Sequence, residues 1–288
     1  MLWKNEYILG HTVIDQEHKL LLDHIDPIIE HLIAKDEIGA KTECIKFIRY
    51  FKVFGPKHFD TEEEYMKATA YESLLLHKKQ HEDFMNTMLQ YEQDFQSRVE
   101  DSKLIKNFTA TLLTWIIYHV QNIDRKYITR EPIEYNYQSN EFAQVLHLSV
   151  LETFHNMFLE DIKKVNETIF NTHLHGNLFA SIKFSGSVNT YAIFSFPVEM
   201  VYQMICYIIN FDHMNLDKDL LTFTTRKIIS SIGQKAAFQL STNIQTCSVS
   251  IPQITLNTFD TTVANFSNGK TLHYKSSMGN FDILFTVS

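Results

Sequence analysis

Histidine and acidic side chains recur at helical spacing through the first 130 residues. This pattern narrows the folds open to the chain more than any other feature. His58 and Glu62 are four residues apart, as are His77 and His81; His119 and Asp124 are five apart; His18 follows Asp15-Gln16-Glu17. On a helix, residues four apart share one face on successive turns. Five apart overshoots a turn, so His119 and Asp124 converge only through side-chain reach or a local widening of the helix. The carrier segments are otherwise amphipathic, with an apolar period near 3.6. The spacing predicts four helices: about Asp15–Ala34, with Ile14, Leu21, Leu22, Ile25, Ile28, Ile29 and Leu32 inward; Gly39–Lys67; Glu72–Arg98, with Leu74, Leu75, Phe84, Met88, Tyr91 and Phe95 inward; and Ser102–Thr129. Short connections between long helices favour an up-down four-helix bundle. The preceding arm Leu2–Gly10 offers Trp3, Tyr7 and Ile8 to close a bundle end.

A single His-x-x-x-Glu pair is more often an exposed polar contact than a ligand pair. Here each helix offers a histidine beside apolar residues such as Leu22, Phe59, Leu76, Trp115 and Ile116. Burying five imidazoles and two carboxylates without partners costs on the order of several kcal/mol, and a metal centre in the bundle core offsets that cost. Two irons offer about twelve coordination sites. Five histidines fill five, two bridging carboxylates fill four, and one oxo or hydroxo bridge fills two. One site is left for a small diatomic ligand. Imidazole suits iron, zinc and copper alike, so ligand type alone does not choose the metal. The richness in neutral imidazole favours reversible binding over oxidase chemistry.

Charge density changes near residue 135. Residues 1–135 hold 17 Lys+Arg and 23 Asp+Glu; residues 136–288 hold only 9 and 11 and are rich in Ser, Thr, Asn and Phe. The Pro132 segment stands at the change, so the expected domains are 1–135 and 136–288. The second part predicts helix over about Asn140–Thr168, a hairpin of Leu178–Phe184 and Tyr191–Phe196 turning at Gly186-Ser187, helices at about Val198–Asn210 and Asp219–Thr242, and strands at Thr246–Leu256, Thr261–Phe266, Thr271–Lys275 and Phe281–Val287. Turns at Ser267-Asn268-Gly269 and Met278-Gly279-Asn280 separate the last of these. This order is α+β.

The net charge of −8, with no run of Lys or Arg, disfavours nucleic acid and anionic membranes as partners. No apolar run reaches the ~20 residues a membrane-spanning helix needs, and no secretory signal is visible at the N-terminus. Cys44, Cys206 and Cys247 fit neither a disulfide framework nor a zinc knuckle and read as reduced thiols. The expected location is cytoplasmic.

Residues 1–130 resemble a bacterial hemerythrin. The resemblance rests on Trp3, Gly10, Asp15-x-x-His18, His58-Phe59-x-x-Glu62-Glu63, Tyr71 before His77-x-x-x-His81, and Trp115-x-x-x-His119-x-x-x-x-Asp124. It implies that His77, His81 and His119 bind one iron, that His18 and His58 bind the other, and that Glu62 and Asp124 bridge them, with dioxygen as the ligand. Gln16-Glu17 departs from the family's usual acid followed by Gln; neither is a ligand. Leu22, Leu112 and Trp115 are candidates to line a dry pocket over the open site, core packing being the alternative. His11, His24 and His31 lack matching partners and read as surface or supporting groups.

Residues 136–288 resemble the CheX-like chemotaxis phosphatase domain, through Phe184-Ser185-Gly186-Ser187, Phe194-Ser195-Phe196, the helix from Asp219, Ser250-Ile251-Pro252 and the closing Gly279-Asn280-Phe281 strand. Phosphatases of that family carry Glu-x-x-Asn on the long helix, followed by Gly. Here one register puts Thr224 and Lys227 at those positions, and aligning Gly233 puts Arg226 and Ile229 there. Neither restores an acid and an amide, so the expectation is a docking or dimerisation domain without phosphatase activity.

The resulting expectation is an oxygen or redox sensor, not an enzyme, whose di-iron state is passed to a silent signalling domain. A response regulator or other chemotaxis protein, and a second copy of the chain, are the candidate protein partners. The alternatives are a carrier or store of oxygen, nitric oxide or iron, and, behind them, a di-iron oxidase or a response-regulator phosphatase.

Overall fold

The computed structural model describes residues 1–97, 101–129, 141–169, 174, 176–210, 218–241, 246–257 and 269–286. They fall into two compact units, one holding residues 1–129 and 209–210 and the other residues 141–208 and 218–286.

The first unit is all helical. After a 3-10 turn at Asn5–Tyr7 come α1 (Thr12–Asp23), α2 (Asp26–Ile33), α3 (Glu37–Ala68), α4 (Leu74–Ser97), α5 (Ser102–Tyr118), a π-helical turn (His119–Asp124) and α6 (Arg125–Thr129). Side chains set the starts: the Ile14 amide donates to His11 Nδ1, the Gly39 amide to Asp36 and the Leu104 amide to Asp101. The first predicted helix is broken at His24-Ile25. Pro27 lies in the first turn of α2, where its missing N–H is no loss, but its ring cannot continue α1. The two halves together form the bundle's first limb.

The inward residues lie where the periodicity places them, with two corrections. Leu75 is 80% exposed, and Ile8 is 50% exposed while its neighbours Tyr7 and Leu9 are buried. Leu75 drifts off the face because His77, His81, Phe84 and Met88 set the inward stripe of α4. An aromatic layer of Phe47, Phe51, Phe84 and Phe108 fills one side of the core, and Ile14, Met66 and Tyr127 close the other. The histidines lie between them.

The second unit is α+β. Its elements are α7 (Phe142–Phe158), β1 (Lys163–Ile169), β2 (Leu178–Gly186), β3 (Thr190–Phe196), α8 (Val198–Ile209), α9 (Lys218–Leu240), β4 (Cys247–Val249), β5 (Gln253–Leu256), β6 (Gly269–Ser276) and β7 (Gly279–Thr286). The antiparallel sheet has the order β1-β6-β7-β3-β2-β4, with β5 also on β2. The helix predicted to reach Thr168 instead stops at Phe158. Leu159 takes a left-handed conformation, and residues 163–169 pair with β6. The inward period ends at Phe158, and Val165, Thr168 and Ile169 favour a strand once a partner exists. Pro252 lies in the gap that splits the predicted Thr246–Leu256 strand into β4 and β5. Gly186 is required at the hairpin: its φ is +118°, and a Cβ there would collide with the Thr246 carbonyl oxygen. The predicted Thr261–Phe266 strand, most of the Ser267–Gly269 turn and the domain junction lie outside the described residues. Helices cover one sheet face: Phe154 of α7 stacks on Phe281 at 5.0 Å, and Phe142 meets Phe184 edge-on at 5.0 Å.

Candidate metal centre

All seven predicted ligands meet in the bundle core. His18 comes from α1, His58 and Glu62 from α3, His77 and His81 from α4, and His119 and Asp124 from the π-helical turn after α5. Each is between 0 and 3% exposed. The π turn answers the five-residue spacing: its wider repeat carries Asp124 back onto the face of His119. One extra residue is absorbed where the chemistry needs two groups side by side.

The arrangement has two halves. Glu62 Oε1 lies 3.1 Å from His18 Nε2 and 3.5 Å from His58 Nε2; Glu62 Oε2 lies 3.1 Å from His81 Nε2 and 3.4 Å from His77 Nε2. Asp124 divides the same way. Its Oδ2 is 3.2 Å from His18 Nε2, and its Oδ1 is 3.2 Å from His119 Nε2 and 3.8 Å from His77 Nε2. His18 and His58 therefore form one nitrogen set, and His77, His81 and His119 the other. Each carboxylate turns one oxygen to each set. Every imidazole offers Nε2 to the centre. His18, His58 and Glu62 can hold one cation, and Glu62, His77, His81 and His119 a second.

The polar atoms are not satisfied by one another. Neither Asp124 oxygen makes a hydrogen bond of good geometry, although imidazole nitrogens lie 3.2 Å away. His81 Nε2 lies 3.0 Å from His119 Nε2, a contact that only one proton or a shared cation makes favourable. Buried groups left this way are costly unless something else completes them. Nitrogen and oxygen donors in a dry core suit first-row transition ions, so the residues fit a metal pair.

Protonation in the metal-free cluster is divided. Burial opposes charge on His18, but the carboxylates of Asp124 and Glu62 outweigh it and hold the imidazole up at about 10. Burial likewise opposes charge on His77, which Glu62 and Asp124 raise. His119 is pushed well down by burial and by His77 and His81 beside it. Burial would raise Glu62, yet the imidazoles around it, His58 foremost, drive it well below the usual carboxylate range. Burial and the Glu62 charge raise Asp124. Protons occupy positions that cations would take, so metal uptake must release them.

Supporting groups surround the ligands. Glu17 reaches from α1 to accept from His58 Nδ1 at 3.0 Å, and Glu63, paired with Lys78, lies 3.6 Å from His81 Nδ1. Such carboxylates orient ligand rings. Phe59 stacks on His81 at 3.7 Å and 10°, and half-buried Trp115 on His119 at 4.3 Å and 12°. Leu22 and Leu112 are buried, one turn after His18 and two turns before His119. His11, His24 and His31 stay out of the cluster: His11 caps α1, His24 stacks on Tyr50 at 3.6 Å, and His31 contacts Asp36 at 2.8 Å.

Two contributors escape the sequence reading. Glu17 is paired across helices, which no spacing reveals. Tyr127, 1% exposed, lies one turn after Asp124 with its ring 5.4 Å from that of His77. Its i+3 position after a ligand is the available signal.

Residues 9–130 match the family described as Hemerythrin HHE cation binding domain, and the N-terminal half is a hemerythrin HHE domain. This half is 28% identical over 134 residues to a bacteriohemerythrin of Clostridium acetobutylicum, covering 44% of this chain and 98% of that protein. It is 29% identical over 129 residues to hemerythrin subunit 1 of Golfingia vulgaris, covering 44% and 89%. The C-terminal half is similar to solved CheX structures. That of Desulfovibrio desulfuricans has 13% identity and a TM-score of 0.41, covering 51% of this chain and 99% of that one. That of Vibrio vulnificus has 12% identity and a TM-score of 0.43, covering 50% and 97%.

Proposed function

We propose that the N-terminal domain holds two iron ions and binds dioxygen reversibly, and that the chain works as an oxygen or redox sensor. One observation carries this reading: Glu62 and Asp124 each turn one oxygen to the two-histidine set and one to the three-histidine set. A single ion would need only one such group of donors; two carboxylates shared between two nitrogen sets suit a pair. The likeness of this half to bacteriohemerythrin supports iron as the metal. When bound, the iron pair supplies two adjacent one-electron centres for a small diatomic ligand.

The chain's own residues do the rest. His18 and His58 would hold one ion, His77, His81 and His119 the other, and Glu62 and Asp124 would span both. Glu17 fixes the His58 ring. Leu22, Leu112 and Trp115 exclude water beside the ligands, which disfavours loss of charged products and favours reversible binding.

The second unit is the proposed output element and has no phosphatase role in this reading. At the positions where an acid and an amide are sought, Ile229 is fully buried, and Arg226 donates through Nε to the Pro252 carbonyl at 3.3 Å. In the other register Thr224 is buried. A response regulator or a second copy of the chain remains the proposed protein partner. Among the described residues no helix is long and apolar enough to cross a membrane.

Metal analysis and one spectrum test the core of the proposal. Natively expressed protein should carry two irons per chain, with visible absorption in air that bleaches on reduction. Iron-free material, or zinc in its place, ends the reading. Oxygen titration followed by solution scattering tests the coupling: sensing requires the two iron states to favour different arrangements, and an unchanged profile and partner affinity remove it.

A further inference from the structure

Beside the metal ligands is a second cluster whose chemistry the oxygen-binding role leaves unused. Tyr127 on α6 is 1% exposed, and its hydroxyl approaches Glu62 without good hydrogen-bond geometry. Its ring lies edge-on to the His77 imidazole at 5.4 Å. Two further tyrosines continue outward, Tyr71 at 5.8 Å and Tyr65 at 6.0 Å between ring centroids, and both are half-buried. Tyr65 in turn meets half-buried His11 edge-on at 4.8 Å. Phenol is a readily oxidised side chain that also carries a transferable proton. A buried phenol whose hydroxyl approaches the Glu62 carboxylate, and whose ring contacts two outer phenols, is placed for oxidation and for export of the resulting hole.

We propose that Tyr127 is a redox-active tyrosine that supplies one electron and one proton to hydroperoxides reduced at the bundle centre, with Tyr65 and Tyr71 carrying the hole to the surface. The inference rests on the iron reading. Cleaving the O–O bond of a hydroperoxide to an alcohol and water takes two electrons and two protons. An iron pair held by the seven side chains would supply one of the electrons. Tyr127 gives the other electron together with its phenolic hydrogen, and solvent provides the second proton. Tyr127 is left as a neutral phenoxyl radical. Tyr65 or Tyr71 then returns an electron and a proton to it. A small thiol at the surface restores the outer tyrosine, a second thiol would give up one electron to the iron pair and its proton to solvent, and the two thiyl radicals couple to a disulfide. The relay spares the ligand histidines, which are otherwise the nearest oxidisable groups.

The experiment uses the full chain loaded with iron, brought to one ferrous and one ferric ion, and mixed with hydrogen peroxide before freezing. Iron content is measured first on every variant. Electron paramagnetic resonance should show a tyrosyl radical, narrowed when the protein is grown on ring-deuterated tyrosine. Tyr127→Phe removes one hydroxyl; it should keep its iron, lose the radical at least tenfold, and show more oxidised ligand histidine by peptide mass spectrometry. Tyr65→Phe combined with Tyr71→Phe should keep the radical but prolong its life severalfold in the presence of thiol. Protein that takes up no iron overturns both readings. Protein with two irons and no tyrosyl radical, an undiminished radical in Tyr127→Phe, or a tryptophan radical lost with Trp115→Phe overturns this one alone.

Discussion

The two units bury charge in opposite ways. In the α+β unit, buried ionic groups close on each other. Glu152 of α7 pairs with Lys235 of α9 at 2.6 Å, and Asp282 accepts from His273 Nδ1 at 2.7 Å while His273 Nε2 meets the Thr168 hydroxyl at 3.0 Å. In the bundle, seven titratable groups converge and still leave hydrogen-bonding capacity open, on both Asp124 oxygens and on Nδ1 of His18 and His77. A buried polar group costs free energy until it is satisfied. Where groups close in pairs, as Glu152 and Lys235 do, the cluster is structural. Where seven donors converge on one point, as in the bundle, the proposed partner comes from outside.

The largest expected effect tests the bundle side of that contrast. Removing iron with a strong chelator, or making Glu62→Ala, should destabilise the first unit by on the order of 5 kcal/mol, because metal binding and folding are coupled. The second unit should melt unchanged. Calorimetry of the full chain would show one transition moving and the other staying. Two transitions that both stay, with iron gone, would mean that the cluster is self-sufficient after all.

The second unit should respond to loss of a partner, not to chelator. Lys235→Ala leaves Glu152 buried without its cation and should cost about 3–5 kcal/mol. Replacing both residues with apolar ones of similar size should restore most of that. Denaturant unfolding of the single and double variants reads the difference. A double variant as unstable as the single one would mean that the pair's other contacts, and not an uncompensated charge, carry the loss.

How much of this was legible in the sequence also differs between the units. The bundle's candidate ligands stand out because helix geometry converts four-residue spacing into shared faces; the His119–Asp124 mismatch leaves side-chain reach or a local widening open, and the widening is what occurs. The break at Pro27 and the exposure of Leu75 did not stand out, since both depend on which face the neighbouring helices claim. In the α+β unit, the β2–β3 hairpin was readable from alternation and Gly186. The edge strand β1 was not, because residues 163–169 carry no strong pattern of their own and become a strand only through pairing with β6. Likewise Glu17 and Tyr127 reach the site through tertiary packing, which local spacing does not encode.

A smaller effect separates the units by pH. His147 of α7, partly buried and 2.9 Å from the Tyr274 hydroxyl, is lowered to about 4, first by burial and then by the Lys164 charge. Its folded value lies below its unfolded value near 6.5. The unfolded chain therefore takes up the proton first, so the contribution is complete above about pH 6.5 and is lost as the pH falls toward 4. Discounted for partial exposure, it amounts to about 1–2 kcal/mol. His147→Gln should flatten the stability of the second unit across that window. An unaltered pH slope would move the titration to another group.

The smallest effect bears on the tyrosine beside the centre. Tyr127 buries a hydroxyl that approaches Glu62 without good hydrogen-bond geometry, so Tyr127→Phe removes a poorly satisfied polar atom and keeps the ring packed against Tyr65, Tyr71 and His77. Burial, reinforced by the charges of Asp124 and Glu62, already holds this phenol well above its usual value and so keeps it neutral. The stability change should be within about 0.5 kcal/mol of zero, or slightly favourable. A loss of 2 kcal/mol or more, on the scale of a broken buried hydrogen bond, would show that the hydroxyl is engaged, for instance through a tightened contact with Glu62 once iron is bound. Measuring the change with and without iron distinguishes these. A phenol that is neutral to stability in both states, yet whose loss changes the chemistry at the centre, is there for its electrons and not for its packing.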